Sequence, residues 1–399
     1  MAWMSRLFDP TGHEPLVGLD WDESHARDAI AAICGDAEAA FDRRRLWPLH
    51  PLDDEPGTPA DGIMRGLYCG AAGMLHGLLR LVDAGVWESS LDGGAIAERL
   101  HDDAVRSPDE PGAGGSLLAG TSGILLVAHR LAPSAANADA IAGAIAANVE
   151  RPSNELLLGA PGTMLAARAM HERTGERRFC DLWRASARTL LARQDSDGLW
   201  TQDLYGDRMR YLGAAHGFAG NVLALHSAAE WLDDAPAVEA RAIATARATA
   251  LMRGALANWP PLDIGSRSGA APRVQWCHGA AGIVTSLAAL GQYDEPHGAL
   301  LAAGGELIWH AGPISENPGL CHGTAGNGFA FLALFDRTGD ERWLHRARKF
   351  AMHALQQVAR LRTATARGRY TLFTGDIGAA LLAAACIAGD AAFPGIRDL

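Results

Sequence analysis

Two short segments of the sequence carry the same pair of metal-binding side chains. Cys277–Gly282 reads Cys-His-Gly-Ala-Ala-Gly and Cys321–Asn327 reads Cys-His-Gly-Thr-Ala-Gly-Asn, so each pair lies just before a Gly-x-x-Gly that opens an apolar stretch. Thiolate sulfur and imidazole nitrogen are ligands that zinc prefers. One Cys-His pair would be a weak indication, but two pairs in the same register of a repeat predict a zinc site.

Three of these four side chains would form a zinc site of the catalytic type. Cys277, Cys321 and His322 as ligands leave a fourth coordination position for water or a substrate. His278 could replace His322, and the sequence does not choose between the two. The alternative interpretation is that the two pairs arose by duplication of a repeat and pack as core residues.

His216 and Glu155 are the candidate acid–base groups. His216 precedes the Gly-x-x-Gly of the preceding repeat but has no cysteine beside it, so it is a candidate proton donor rather than a ligand. The alternative is a structural histidine. Glu155 lies four residues before Gly159; on a buried face it would be a carboxylate of the site, and otherwise a solvated surface charge.

The loop that leads into the first Cys-His pair carries two arginines. Residues 260–275 are rich in Pro, Gly, Ser and Arg and include Arg267 and Arg273. Guanidinium groups bind carboxylates and phosphates well. We therefore predict either contacts from Arg267 and Arg273 to an anionic group of a substrate, or a solvated connector.

The Gly-x-x-Gly pattern recurs along the chain and predicts the fold. Its seven copies are spaced by roughly 40–60 residues, in the range of helical-pair repeats, and begin at Gly70, Gly120, Gly159, Gly217, Gly279, Gly323 and Gly375. Each copy leads into an apolar stretch and then an amphipathic one, which predicts a buried helix followed by a half-exposed helix. Terminal repeats without polar caps favour a closed ring. The prediction is an all-α protein, an α/α toroid (barrel) of seven helical hairpins, whose junctions meet at one end.

The sequence predicts two segments. Residues 1–60 form an N-terminal lead-in with one helix and a loop, and residues 61–399 form a single toroid domain.

Composition limits the classes of function that the protein can have. The net charge of −11 argues against a nucleic-acid partner. The sequence contains no apolar run of about 20 residues, so it predicts no membrane span. The six scattered cysteines are too few for a disulfide scaffold, so we expect reduced thiols in a cytoplasmic protein.

Three motifs together resemble the lanthionine synthetase C family, the LanC and LanC-like proteins. They are Ala214–Gly217 (Ala-Ala-His-Gly), Trp276–Gly279 (Trp-Cys-His-Gly) and Cys321–Gly323 (Cys-His-Gly) followed by Gly326-Asn327. The resemblance covers the chain from about Gly66 onward and implies a seven-hairpin α/α toroid with one catalytic zinc ion. It further implies Cys277, Cys321 and His322 as ligands, His216 as the acid–base residue and Glu155 at the place of the family's acidic residue. His278 matches the residue of the LanC-like branch, whose members add glutathione to dehydroamino acids, and the resemblance makes it a candidate substrate-binding residue.

The resemblance implies a zinc-dependent enzyme that joins a thiol to dehydroalanine or dehydrobutyrine residues of a peptide or protein. Glu316, Asn317 and Pro318 stand where the LanC-like branch often has a basic residue, so peptide cysteine and glutathione both remain open as the thiol. Three other classes of protein remain open. They are a zinc transferase of the prenyltransferase β-subunit type, a sugar-processing barrel, which needs paired carboxylates, and a non-catalytic scaffold that retains only the metal.

Overall fold

The computed structural model describes residues 7–54, 59, 62–106, 109–110, 112–204, 206–262 and 272–399, without the side chains of residues 104, 105 and 207. Fourteen α-helices lie in this part of the chain. Seven are inner helices, each preceded by a Gly-x-x-Gly junction: α2 (Ala71–Asp83), α4 (Thr121–Leu131), α6 (Ala160–Thr174), α8 (Phe218–His226), α10 (Ala280–Leu287), α12 (Thr324–Thr338) and α14 (Ile377–Ala388). Seven are outer helices: α1 (Glu23–Ala39), α3 (Gly93–Arg106), α5 (Ala135–Asn148), α7 (Arg177–Ala192), α9 (Ala235–Thr249), α11 (Glu295–Ala311) and α13 (Glu341–Thr365).

The inner helices form a closed ring. Each one packs against the next, and α14 packs against α2. Their side chains are buried on nearly every face, as in α10, where all eight residues are buried. A helix that is apolar all round must be covered on all sides, and the ring provides this cover. The all-α toroid of seven helical hairpins predicted from the sequence is confirmed.

The outer layer has one member that comes from the start of the chain. In the first six repeats the outer helix follows its inner helix, whereas α14 is the last helix of the chain. Helix α1 packs against α14 and α13 and so occupies the seventh outer position. Ile30 and Ile33 are among its buried residues. The separation of a lead-in over residues 1–60 from a domain over 61–399 stays a prediction.

Inner and outer helices begin in different ways. Most outer helices begin with a side-chain cap, in which an Asp or Ser oxygen accepts one of the first N–H groups, as Asp22 does in α1 and Asp294 in α11; α7 has no such bond. The inner helices have no side-chain cap bond, and all except α14 begin directly after a glycine, as α2 does after Gly70. The first N–H groups of α2 instead donate to the carbonyls of Met64 and Arg65 in the preceding loop. The loop before each inner helix is thereby tied to the helix N-terminus.

Two small antiparallel sheets were not predicted. Strand β1 (Gln202–Leu204) pairs with β2 (Asp207–Met209), and β3 (Leu251–Arg253) pairs with β4 (Leu256–Asn258). Strands of three residues are too short to show an alternating pattern in a sequence. Both hairpins lie between an outer helix and the next junction, in the repeats that lead to His216 and to Cys277.

The second glycine of each junction is required by a close contact between neighbouring repeats. A Cβ atom on Gly123 would collide with the carbonyl oxygen of Leu117 and lie 2.9 Å from the Cβ of Leu67 in the preceding repeat. Six of the seven junctions show both contacts, and at Gly73 the neighbour is Leu372 of the seventh repeat; at Gly378 the carbonyl oxygen is 3.4 Å away and only the contact with the preceding repeat is tight. These contacts close the ring at the junction end. No described helix combines the length and apolarity that a membrane crossing needs.

A pair of glycine substitutions tests this contact. Gly123→Ala is expected to lower the free energy of unfolding by about 1–3 kcal/mol, because the added methyl group has no space. The control is Gly143→Ala, since Gly143 is an exposed residue of α5 with no atom near its Cβ position. That change should raise stability by about 0.5–1 kcal/mol. Urea unfolding of both variants measures the difference, and equal effects would contradict the packing described.

Candidate metal centre

The junctions of repeats five and six bring three ligand side chains together. The sulfurs of Cys277 and Cys321 and a ring nitrogen of His322 all lie within 4.8 Å of one another. The N–H of Cys277 donates to the carbonyl of Cys321 at 3.1 Å, which aligns the two junctions. Both cysteines are buried, and His322 is half-buried. Of the two candidate histidines, His322 is the one that belongs to this group.

The donor set fits a zinc ion. In a tetrahedral zinc site the Zn–S and Zn–N distances place neighbouring donors about 3.5–3.8 Å apart, which agrees with three donors enclosed within 4.8 Å. Two sulfurs and one imidazole are a set that favours zinc over hard cations. Three protein ligands also leave one coordination position for a substrate.

Cys321 and His322 influence each other's protonation. A hydrogen bond with Cys277, together with burial, raises the pKa of the Cys321 thiol well above its usual range. A hydrogen bond to Cys321 raises the pKa of His322 in spite of burial. The Cys321 thiol therefore resists ionisation on its own. A cation bound beside it would favour release of that proton.

A group of three rings adjoins Cys277. The rings of His216 and His278 stack with centroids 5.6 Å apart, and Tyr211 lies 6.0 Å from the first and 5.8 Å from the second. Burial lowers the pKa of His278 to about 3, and the charges of His216 and Arg273 act in the same direction. His278 is therefore neutral near pH 7 and places an uncharged ring against His216.

Glu155 is a fully buried carboxylate that faces His216. Its oxygens accept the backbone N–H groups of Leu157 at 2.9 Å, Leu158 at 2.5 Å and Gly159 at 3.0 Å, directly before α6. Its Oε2 atom also lies 3.3 Å from Nδ1 of His216. A carboxylate just ahead of a helix N-terminus is favoured by the helix dipole. The surface position considered for Glu155 is therefore not observed, since its side chain has 0% exposure.

The Glu155–His216 contact fixes the histidine ring. A carboxylate accepts hydrogen bonds only, so the proton of the contact belongs to Nδ1 of His216. The other nitrogen, Nε2, is then the atom at which a proton can be exchanged with a substrate. A backbone bond from the N–H of Leu156 to the carbonyl of Ala215, at 3.1 Å, holds the two junctions in this arrangement.

The structure describes only one of the two loop arginines. Arg273 is an exposed residue four positions before Cys277, and its charge acts on both His278 and His322. It therefore lies near the candidate metal centre. Arg267 falls outside the described residues, and its predicted contact with a substrate stays a prediction.

Sequence analysis missed two further residues near the centre. The hydroxyl of Tyr68 forms a hydrogen bond with Cys321, and burial raises the pKa of Tyr68 well above its usual range. Tyr68 stands two residues before Gly70, the same register as Cys277 and Cys321, so the repeat alignment contained the signal. Arg369 makes a buried ion pair with Asp53 of the N-terminal segment, and its charge acts on His322. No motif marked this pair.

Comparison with known proteins identifies relatives of the chain. The family model for lanthionine synthetase C-like proteins matches residues 94–397. The chain is similar to glutathione S-transferase LANCL1 of Danio rerio, with 43% identity over 84 residues, and to LanC-like protein GCL1 of Arabidopsis thaliana, with 36% identity over 113 residues. These alignments cover 20% and 26% of this chain, and 20% and 25% of the two relatives' lengths. Among solved structures, nisin cyclase shares the fold with a TM-score of 0.57 and 15% identity, over 80% of this chain and 88% of that one.

Replacement of the buried carboxylate tests its role in the junction. Glu155→Gln is expected to lower the free energy of unfolding by about 1–3 kcal/mol, because the amide would turn its own N–H groups towards buried N–H donors. The control is Glu98→Gln on the exposed face of α3, which should change stability by no more than about 0.5 kcal/mol. Urea unfolding measures both. Equal stabilities of Glu155→Gln and Glu98→Gln would contradict the structural role of Glu155.

Proposed function

This chain belongs to the lanthionine synthetase C-like family, and from that premise we propose that it is a zinc-dependent enzyme that forms thioethers. The substrates would be a thiol, from a peptide cysteine or glutathione, and a dehydroalanine or dehydrobutyrine residue of a peptide or protein. One observation carries the proposal: a group of two sulfurs and one imidazole lies beside a histidine that a buried carboxylate orients. The expected location is the cytoplasm, where thiols stay reduced.

The first requirement of this reaction is a thiolate. A free cysteine thiol is only a few per cent ionised at neutral pH. Cys277, Cys321 and His322 would hold the zinc ion. The chemistry that zinc supplies at such a site is ionisation of a coordinating thiol. The side chain of Tyr68 interacts with Cys321 and therefore lies beside these ligands.

The second requirement is a proton donor for the α-carbon. The thiolate sulfur forms a bond to the β-carbon, and the electron pair of the carbon–carbon double bond moves to the α-carbon, which gains enolate character. Nε2 of His216 delivers the proton that completes the product, while Glu155 holds Nδ1–H of the same ring. The proton lost by the thiol balances the proton gained by the α-carbon. Proton transfer of this kind typically contributes about 10²–10⁴-fold to a rate.

The donor set separates this proposal from the transferase alternative. The prenyltransferase β-subunit type requires an Asp-Cys-His ligand set, whereas the group in this chain is Cys-Cys-His. The sugar-processing alternative needs two carboxylates at the mouth of the barrel. Glu155 is instead engaged with three backbone N–H groups and His216.

Metal analysis tests the ligand assignment. The purified protein is expected to contain close to one zinc ion per chain, and Cys321→Ala should lose most of it because one of three protein ligands is gone. Cys386→Ala is the matched control, since Cys386 is a buried cysteine of α14 outside the ligand group. Elemental analysis after exhaustive dialysis measures the content. A Cys321→Ala protein that retains both zinc and activity would refute the assignment.

A histidine substitution separates catalysis from metal binding. His216→Asn should reduce turnover by about 10²–10⁴-fold, with unchanged zinc content and unfolding midpoint. The assay offers a dehydroalanine peptide with either an internal cysteine or free glutathione and weighs the products by mass spectrometry. His345→Asn, an exposed residue of α13, is the control and should match the wild type. Undiminished turnover of His216→Asn would rule out its role as proton donor.

A further inference from the structure

The segment after α14 enters the ring from the end opposite to the metal centre. Inner helices start at the junction end, so residues 389–399, which follow the C-terminus of α14, begin at the other end. This segment, called here the tail, carries two apolar side chains into the interior. Phe393 has 1% exposure and Ile396 has 2%. The tail therefore fills part of the interior of the ring.

Ion pairs with α2 lock the tail in place. Asp398 lies 3.1 Å from Nε2 of His76 and 3.1 Å from a guanidinium nitrogen of Arg80. It also accepts the N–H of Gly395 at 2.6 Å. The side chains of His76 and Asp398 are 2% and 1% exposed. Arg80 makes a second ion pair with Asp390. A buried charge network of this kind is satisfied in only one arrangement of the tail.

Phe393 completes a cluster of aromatic rings from five different parts of the chain. It stacks on Trp276 with a centroid distance of 4.8 Å and an interplanar angle of 14°, and lies 5.3 Å from Phe329 and 6.4 Å from Phe373. Phe373 in turn stacks on Tyr68, at 4.9 Å and 14°. We call these five residues the aromatic floor.

The aromatic floor is directly connected to both cysteine ligands. Trp276 precedes Cys277 in the chain. The carbonyl of Phe373 accepts the N–H of Cys321 at 2.8 Å. The hydroxyl of Tyr68 forms a hydrogen bond with the Cys321 side chain. A displacement of Trp276 or Phe373 would therefore move the backbone from which a ligand extends.

We propose that Phe393 is a positioning residue for the metal centre, which it reaches through Trp276 and Phe373 from the opposite end of the ring. The inference rests on the proposed function, because the three ligands are assigned to zinc there. Protein interiors are close-packed, so removal of a buried ring leaves a cavity into which neighbours partly collapse. At this place the neighbours include Trp276, which precedes Cys277, and Phe373, whose carbonyl accepts the N–H of Cys321. Partners behind metal ligands typically affect metal affinity by about 10–100-fold.

Metal-binding measurements on tail variants test the proposal. Phe393→Ala should weaken zinc binding about 10–100-fold in competition with a chelator. It should also shift the visible absorption of the cobalt-substituted protein, which reports the geometry of the ligands. Phe393→Leu fills part of the space, so its effect should be smaller. If the alanine variant does not fold, zinc affinity and the cobalt spectrum are measured on the leucine variant instead.

The control is Phe331→Ala. Phe331 is another fully buried phenylalanine, but it packs among Trp309, Trp343 and Phe350 between α12 and the outer layer. Its loss should lower the melting temperature as much as Phe393→Ala does, and leave zinc affinity and the cobalt spectrum unchanged.

The outcomes distinguish the positioning role of Phe393 from the zinc site of the proposed function. If the wild type binds zinc and Phe393→Ala binds it equally well with the same cobalt spectrum, the positioning role is wrong and the metal centre stands; if the alanine variant does not fold, the same result for Phe393→Leu overturns the role. Equal weakening by Phe331→Ala would also overturn the role, because the effect would then be one of general stability. A wild-type protein without affinity for zinc or cobalt overturns the proposed function and this inference together.

Discussion

Backbone contact between successive junctions is the constraint on which the rest of the structure depends. The N–H of Cys277 bonds to the carbonyl of Cys321, the N–H of Cys321 to the carbonyl of Phe373, and the N–H of Phe373 to the carbonyl of Tyr68. Each of these residues stands two positions before the first glycine of its repeat. The seventh junction is thereby joined to the first. Side chains that are distant in the sequence meet because their repeats are neighbours in a closed ring.

Glycine makes this contact possible, and buried polar groups make it specific. A side chain at the second glycine of a junction would collide with a carbonyl oxygen, as at Gly282, where the carbonyl belongs to Trp276. With the backbones this close, the N–H groups of the three residues just before α6 converge on one carboxylate, that of Glu155. The same carboxylate reaches His216 of the next repeat. One buried charge thus satisfies the loop that leads into a helix and orients the candidate proton donor.

Much of this architecture could be predicted from the sequence, because the same motif occurs in seven copies. The Gly-x-x-Gly spacing predicted the hairpins and the ring, and the two Cys-His pairs predicted which junctions hold the ligand group. The sequence could not choose between His278 and His322, since that depends on side-chain direction at the junction. It also gave no sign that α1 completes the outer layer or that Phe393 lies beneath Trp276. Those contacts involve segments outside the repeats, so the repeat pattern does not predict them.

The central claim is that Cys277, Cys321 and His322 share one zinc ion with a coordination position left for a thiol. X-ray absorption at the zinc edge of the purified protein tests it most directly. The account predicts two sulfur neighbours at about 2.3 Å and a nitrogen or oxygen shell at about 2.0–2.1 Å, with a third sulfur at about 2.3 Å when a thiol substrate is added. A spectrum with no sulfur shell, or one that a thiol substrate leaves unchanged, would contradict the account.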